Sequence, residues 1–212
     1  MNTEHLIHNL ALQCRPVAPI GNPAKRFLIW TTSTVVFLIV GVWFLHPVPE
    51  LWSLVNSSSF IFSTLAMLSI ALISALSAFI LTIPDNRKRS FDVLLLTVLI
   101  LWFSLVAYMM TTVDVANSRP GLLCIVRIAG LALVPGASLF YMLKKAAPMK
   151  SGLIGLLASL SSLAFAAIGV QCLCPRSYDV THVTVWHFMP VSVISVGGFL
   201  IGRLIFRWNT YG

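Results

Sequence analysis

The sequence predicts an all-α, polytopic membrane protein: a six-helix transmembrane bundle with short loops and an N-terminal amphipathic helix. Three observations carry that prediction. Charged residues make up 9% of the chain and hydrophobic residues 58%, whereas a soluble domain carries about 25% charged residues. There is too little polar surface here to cover a globule in water. Six apolar runs are roughly 20 residues long, the length a helix needs to cross the hydrocarbon layer. The period-2 alternation of a membrane β-barrel is absent, and a lipid-exposed backbone must satisfy its own polar groups, so each run reads as a helix.

The polar leader comes first. "MNTEHLIHNLALQCRPVAPIGNPAKR", residues 1–26, precedes a membrane domain of residues 27–212. Leu6, Ile7, Leu10 and Ala11 fall at helical spacing and form one apolar stripe, which Cys14 extends. "RPVAPIGNP" then breaks the helix and forms an extended, semi-rigid spacer. The stripe has two uses, lying on the bilayer or docking a soluble partner. Its polar face lacks the Lys/Arg clusters of a surface binder, which favours a protein partner. No small-residue cleavage site follows the first apolar run, so no secretory signal peptide is expected.

The spans read as Phe27–Leu45, Ser57–Ile83, Phe91–Val113, Leu122–Leu143, Gly152–Val170 and Trp186–Phe206. Short linkers predict an up-and-down bundle in which sequential spans are neighbours. Basic residues set the orientation. Arg15, Lys25, Arg26, Arg87, Lys88, Arg89, Lys144, Lys145, Lys150, Arg203 and Arg207 belong to one set of connections. Only Arg119, Arg127 and Arg176 belong to the other. Both termini are therefore expected in the cytoplasm, and the loops around His46–Leu51, Asp114–Gly121 and Cys172–Val185 face outward. The same reasoning removes nucleic acid as a direct partner: the formal net charge of +8 marks cytoplasmic loops. Trp43, Trp52, Trp186 and Trp208 lie near span ends, where indoles prefer the interface.

This topology gives the cysteines a meaning. Cys172 and Cys174 lie in the last outward loop, and Cys124 opens the fourth span at the same membrane depth. Cys14 lies across the membrane. The outer compartment of a bacterium is oxidising, so exposed thiols there are paired or poised to react. A two-residue separation strains a Cys172–Cys174 disulfide, which leaves Cys124 with one of them as the pair. Structural bridging, inert burial and a functional thiol pair all fit that placement. Thiolate with imidazole also suits zinc, cadmium or copper. His182 and His187 are close by, with His46 on the same side, but the spacing matches no closed zinc motif. His187, at the start of a span, reads as an interfacial residue. No resident cofactor is expected; the thiols suit transient capture of a thiophilic ion.

Arg127 falls about one and a half turns into the fourth span, where an Arg snorkels or finds a partner. Asp114, Glu50 and Asp179 are the outward carboxylates. A cation close to Cys124 would also lower that thiol's pKa. Pro135 and Pro190 fall inside spans and are expected to kink them.

The chain's two ends and its cysteine pattern resemble NrsF-type membrane proteins. The leader with "RPVAP" and the close "CPRSYDVTHVTVWHFMPVSVISVGGFLIGRLIFRW" carry the likeness, together with Cys124 after Gly-Leu-Leu. The resemblance implies an inner-membrane anti-sigma factor that holds an extracytoplasmic-function sigma factor at the cytoplasmic face and releases it under stress. It implies Cys124 and Cys174 as the stress-sensing thiols and as transient metal ligands. Cys172, His182 and Arg127 become auxiliary groups, and Leu6, Ile7 and Leu10 the sigma-binding surface. Where many members have His before the second Cys, this chain has Leu173, with Cys172 just ahead.

Two other functions are weighed against this one. A quinone-linked membrane thiol oxidoreductase normally relays electrons between two close pairs, and here the only close pair is Cys-X-Cys. A transporter usually needs acidic or polar groups near the bilayer middle, where this chain offers only Ser and Thr.

Overall fold

A computed structural model describes residues 3–13, 21–83, 89–115, 118, 120–146 and 150–206. Its elements are α1 (Thr3–Gln13), α2 (Pro23–Phe44), α3 (Leu51–Val55), α4 (Ser58–Ile80), α5 (Arg89–Thr112), α6 (Leu122–Lys144), α7 (Ser151–Gln171), α8 (Val180–Val183), a π-helical turn (Thr184–Phe188) and α9 (Met189–Ile205). All the regular structure among the described residues is helical. Six stretches are long and apolar enough to cross a membrane, the last running unbroken from Val180 to Ile205. The chain is a membrane-spanning helical bundle.

Local signals explain the helix starts. Asn22 accepts a bond from the Ala24 amide at 2.9 Å, and Pro23 occupies the first turn. An orphan donor is satisfied, and a residue with no N–H of its own fills a position where that N–H would go unused. The first span therefore begins at Pro23, earlier than Phe27. Ser57 caps α4 by accepting from the Phe60 amide. Asp179 accepts from the Thr181 amide at 2.9 Å and starts α8. The last span thus begins six residues before Trp186, and the stretch expected as loop up to Val185 is half helix. The π turn then joins α8 to α9. Pro190 falls inside the last span, as expected, in the first turn of α9 immediately after the π turn.

The bundle is organised around α7. Of its spanning residues 78% are buried, against 17% in α2. α4, α6 and α9 all pack on α7, whereas α5 lies at the rim and touches mainly α9 and the π turn. Among the described residues, then, sequential spans do not all pack closely: α4 and α5 face each other across a groove lined by Ile70, Ile73, Val98 and Trp102. The reason lies in side-chain size. α7 is rich in Gly, Ala and Ser, which let backbones approach closely where lipid removes the usual hydrophobic drive. The tightest approach is to α9: a Cβ on Gly155 would overlap the Gly198 carbonyl oxygen and Gly202 Cα.

Hydrogen bonds pin the other helices in place. Ser161 Oγ donates to the Ala71 carbonyl at 2.8 Å, tying α7 to α4. Trp102 Nε1 donates to Ser192 Oγ at 3.2 Å, and its ring stacks on Phe188, tying α5 to the last span. In α6 the carbonyl of the interior Pro135 accepts from Trp30 Nε1 of α2 at 3.1 Å. Trp43 and Trp52 stand exposed at the loop between α2 and α4, as interfacial indoles do. Trp208 lies outside the described residues.

The six spans alternate in direction, so the bundle has two ends. One gathers the loops that follow α2, α5 and α7. The other gathers Arg26, Lys144, Lys145, Lys150 and Arg203. There Arg26 donates to the Met142 carbonyl near the end of α6 and lies over the Phe79 ring at 5.2 Å. Phe140 stacks on Phe206 beside it. Arg26 opens the first span directly after the spacer, so the root of the leader is fastened to α4 and α6.

Candidate functional site

The turn after α7 is shaped by its own polar groups. Ser177 Oγ donates to the Gln171 carbonyl at 2.6 Å and to the Cys174 carbonyl at 2.8 Å, folding the chain back on itself. Gln171 is fully buried, and its Oε1 accepts from Thr64 Oγ1 at 2.8 Å. The Val48 amide donates to the Cys172 carbonyl at 3.2 Å and brings in the loop after α2. Arg127 Nη1 donates to the Leu173 carbonyl at 3.4 Å, linking α6 to the same turn. Arg127 thus positions backbone, which is how this cation meets its need for a partner near the membrane surface.

These anchors bring Cys174 to the start of α6. Cys124 Sγ and Cys174 Sγ are 3.8 Å apart, and both are free thiols. His182 Nε2 lies 3.7 Å from the first sulfur and 3.5 Å from the second. His187 completes a group of four whose ligand atoms all lie within 4.8 Å of one another. Relative exposure is 9% for Cys124, 4% for Cys174, 3% for His182 and 0% for His187. The group is closed off from solvent and lipid.

The π turn is what aligns the two histidines. On a regular α-helix, residues five apart point about 140° away from each other. A π turn bonds residue i to i+5 and brings such positions back towards one line. The two rings meet edge to face with centroids 5.9 Å apart. On the far side, Gly121 leaves room for His182 and Trp186: a Cβ there would come within 2.9 Å of His182 Cε1 and 2.6 Å of Trp186 Cγ. Trp186 Nε1 donates to Ser118 Oγ at 2.9 Å and holds the loop after α5 against the site.

The electrostatics separate the thiols. The Cys124 thiol donates to Cys174, which holds the Cys174 thiol below the usual thiol range. Burial pushes the Cys172 thiol up. Cys172 also points elsewhere: its Sγ donates to the Ile168 carbonyl at 3.7 Å and lines a lipid-side groove of about 380 Å³ with Leu38, Val42 and Phe165. The geometry therefore pairs Cys124 with Cys174 and leaves Cys172 aside. It brings His182 and Arg127 to the pair. His46, a left-handed residue with φ 58°, is outside the group of four.

His187 is the residue that sequence reasoning assigned to the interface. Its signal was the five-residue spacing from His182, which has meaning only if a π turn is expected. The leader's apolar stripe falls in α1, where Ile7 and Leu12 are 61% and 71% exposed. The Leu6 and Leu10 side chains, Cys14 and the start of the spacer lie outside the described residues.

No curated relative and no solved structure matches the chain. A family model, NrsF, described as negative regulator of sigma F, matches residues 10–208. The match takes in all six spans, the four clustered residues and the end of the leader helix. The chain belongs to the NrsF family of negative regulators of sigma factors.

Proposed function

We propose that this protein is an inner-membrane anti-sigma factor that holds an extracytoplasmic-function sigma factor through its leader helix and releases it when Cys124 and Cys174 react. In this reading both termini and the basic end face the cytoplasm, and the thiol cluster faces outward. The inducers are thiophilic metal ions and oxidants, which reach that face first. The observation that carries the reading is the separation of two specialised ends by one helix. Cys124 sits in the first turn of α6 and the carbonyl that binds Arg26 sits in its last. A change in the sulfur pair shifts α6, and the shift arrives at the root of the leader.

The energy required is modest. Moving a two-state element from nearly all off to nearly all on takes about 5.5 kcal/mol of differential binding. Ligating a borderline cation through thiolate and imidazole is worth about 10 kcal/mol or more in small proteins, so part of it suffices. A thiol oxidoreductase is the weaker reading. Among the described residues the third thiol, Cys172, faces away from the pair, so no second pair stands ready to pass electrons on.

The test is a sigma-dependent reporter in cells carrying the wild-type chain or a Cys124→Ser, Cys174→Ser double variant, with cadmium or an oxidant added. The expected result is induction in the first and continued repression in the second. A double variant that still induces at wild-type strength would end the thiol-sensing reading.

A further inference from the structure

We infer that Cys124, Cys174, His182 and His187 form a closed, four-coordinate site that holds a zinc-class divalent cation in the repressing state. As regulation of the same site, this rests on the sensing reading above, but ion binding is observable apart from it.

Distances argue first. A tetrahedral ion with metal–sulfur bonds of about 2.3 Å and metal–nitrogen bonds of about 2.05 Å sets sulfurs about 3.8 Å apart and sulfur and nitrogen about 3.6 Å apart. The sulfurs here are 3.8 Å apart, and the His182 nitrogen is 3.7 and 3.5 Å from them. Three of four ligands already stand at the corners of that tetrahedron. The fourth, His187, has its ligand atom within 4.8 Å of the rest, and closing to the same edge is the one movement needed.

Unpartnered nitrogens argue second. His187 is fully buried with Cys174 beside it, and neither of its ring nitrogens makes a hydrogen bond of normal geometry. Burying a polar group without a partner is costly. A cation at the centre of the group removes that cost for one nitrogen of His187 and engages Nε2 of His182. Charge argues third. Binding displaces whatever protons the two sulfurs still carry, and these pass to solvent. Two thiolates then balance a divalent ion and two neutral imidazoles, so the buried site carries no net charge. Thiolate with imidazole favours zinc over magnesium or calcium. Four protein ligands leave no open position, which is the pattern of a structural site rather than a catalytic one.

Such a site makes the resting chain a loaded switch. Cadmium competes for the sulfurs. An oxidant of the peroxide class takes two electrons from the two thiolates: the S–S bond forms, the O–O bond breaks to water with two solvent protons, and the ion leaves. The new sulfur–sulfur bond, and not loss of the ion, is the releasing event, so serine at both positions leaves the chain repressing.

The experiment uses full-length protein in detergent, stripped with a chelator under reducing conditions and titrated with cobalt(II). One cobalt per chain is expected, with intense visible bands of a tetrahedral ion and near-ultraviolet sulfur-to-cobalt charge transfer. Zinc should displace it. His187→Ala should weaken cobalt binding at least about 100-fold and collapse the tetrahedral bands while retaining charge transfer. The Cys124→Ser, Cys174→Ser variant should lose both, and His46→Ala should change nothing. Weak octahedral bands or no stoichiometric binding in the wild-type chain would overturn the inference, with no variant required to fold. A His187→Ala spectrum equal to wild type would overturn the four-ligand site. Tight tetrahedral binding in a chain whose reporter ignores cadmium and oxidant would retire the sensing reading and leave the site standing as structural.

Discussion

The two ends of α6 differ in kind. Its first turn presents Cys124 to another thiol and a histidine at distances that also suit coordination, beside the buried ring of His187. Its last turns are settled: Leu139 and Leu143 are fully buried, Phe140 stacks on Phe206, and the Met142 carbonyl is taken by Arg26. One end is chemically unfinished and the other mechanically complete. A group that must respond to a visitor needs unused valence. A group that must transmit the response needs fixed contacts.

The largest expected effect breaks the settled end from outside. Replacing Leu6, Ile7 and Leu10 with Asp should abolish repression and loss of sigma factor should show in co-purification. Stability of the bundle should change by only about 0.5 kcal/mol, because the leader precedes all six spans. Undiminished co-purification would remove the leader from the interface. Next comes the unfinished end: the double cysteine variant should repress fully yet respond to nothing, as the reporter reads. The two variants should therefore fail in opposite senses, one always on and one always off.

Arg26→Ala sharpens the comparison at its joint. Losing a charged hydrogen bond to a helix-end carbonyl should cost about 1–3 kcal/mol and raise uninduced output partway. A thermal-unfolding series in detergent with the reporter alongside would check both, and unchanged basal output would show that the leader's root is not coupled to α6. The smallest effect belongs to Cys172→Ser. Its thiol faces the lipid-side groove, so dose–response to cadmium should stay near wild type. A loss as large as that of Cys174→Ser would place Cys172 in the site.

The fold was largely legible because lipid makes span length and polarity nearly sufficient. Five of the six spans fall within four residues of the expected bounds at each end. The sixth did not, because "DVTHVTV" looks like a loop until Asp179 is seen as a cap and a π turn is allowed. That one element also concealed His187. Cys124 and Cys174 were legible as a pair only through family resemblance, since Cys172 is equally near in sequence. Which sulfur faces α6 depends on the Ser177 turn and the Arg127 anchor, contacts that composition does not encode. The central place of α7 was likewise out of reach: its small residues mark close packing but not the partner.

The glycine contact between α7 and α9 decides where this molecule can bend. Backbone meets backbone at Gly155, Gly198 and Gly202, with no side chain between them to change rotamer and absorb a displacement. The pair behaves as a single strut running the length of the bundle, and His182, His187 and Cys174 are mounted on one end of it. Cys124 is the one residue of the four carried by a different member. On the proposed reading, a change at the sulfur pair is felt as torque between the strut and α6, and Pro135, midway along α6, is the place where that helix can yield to it.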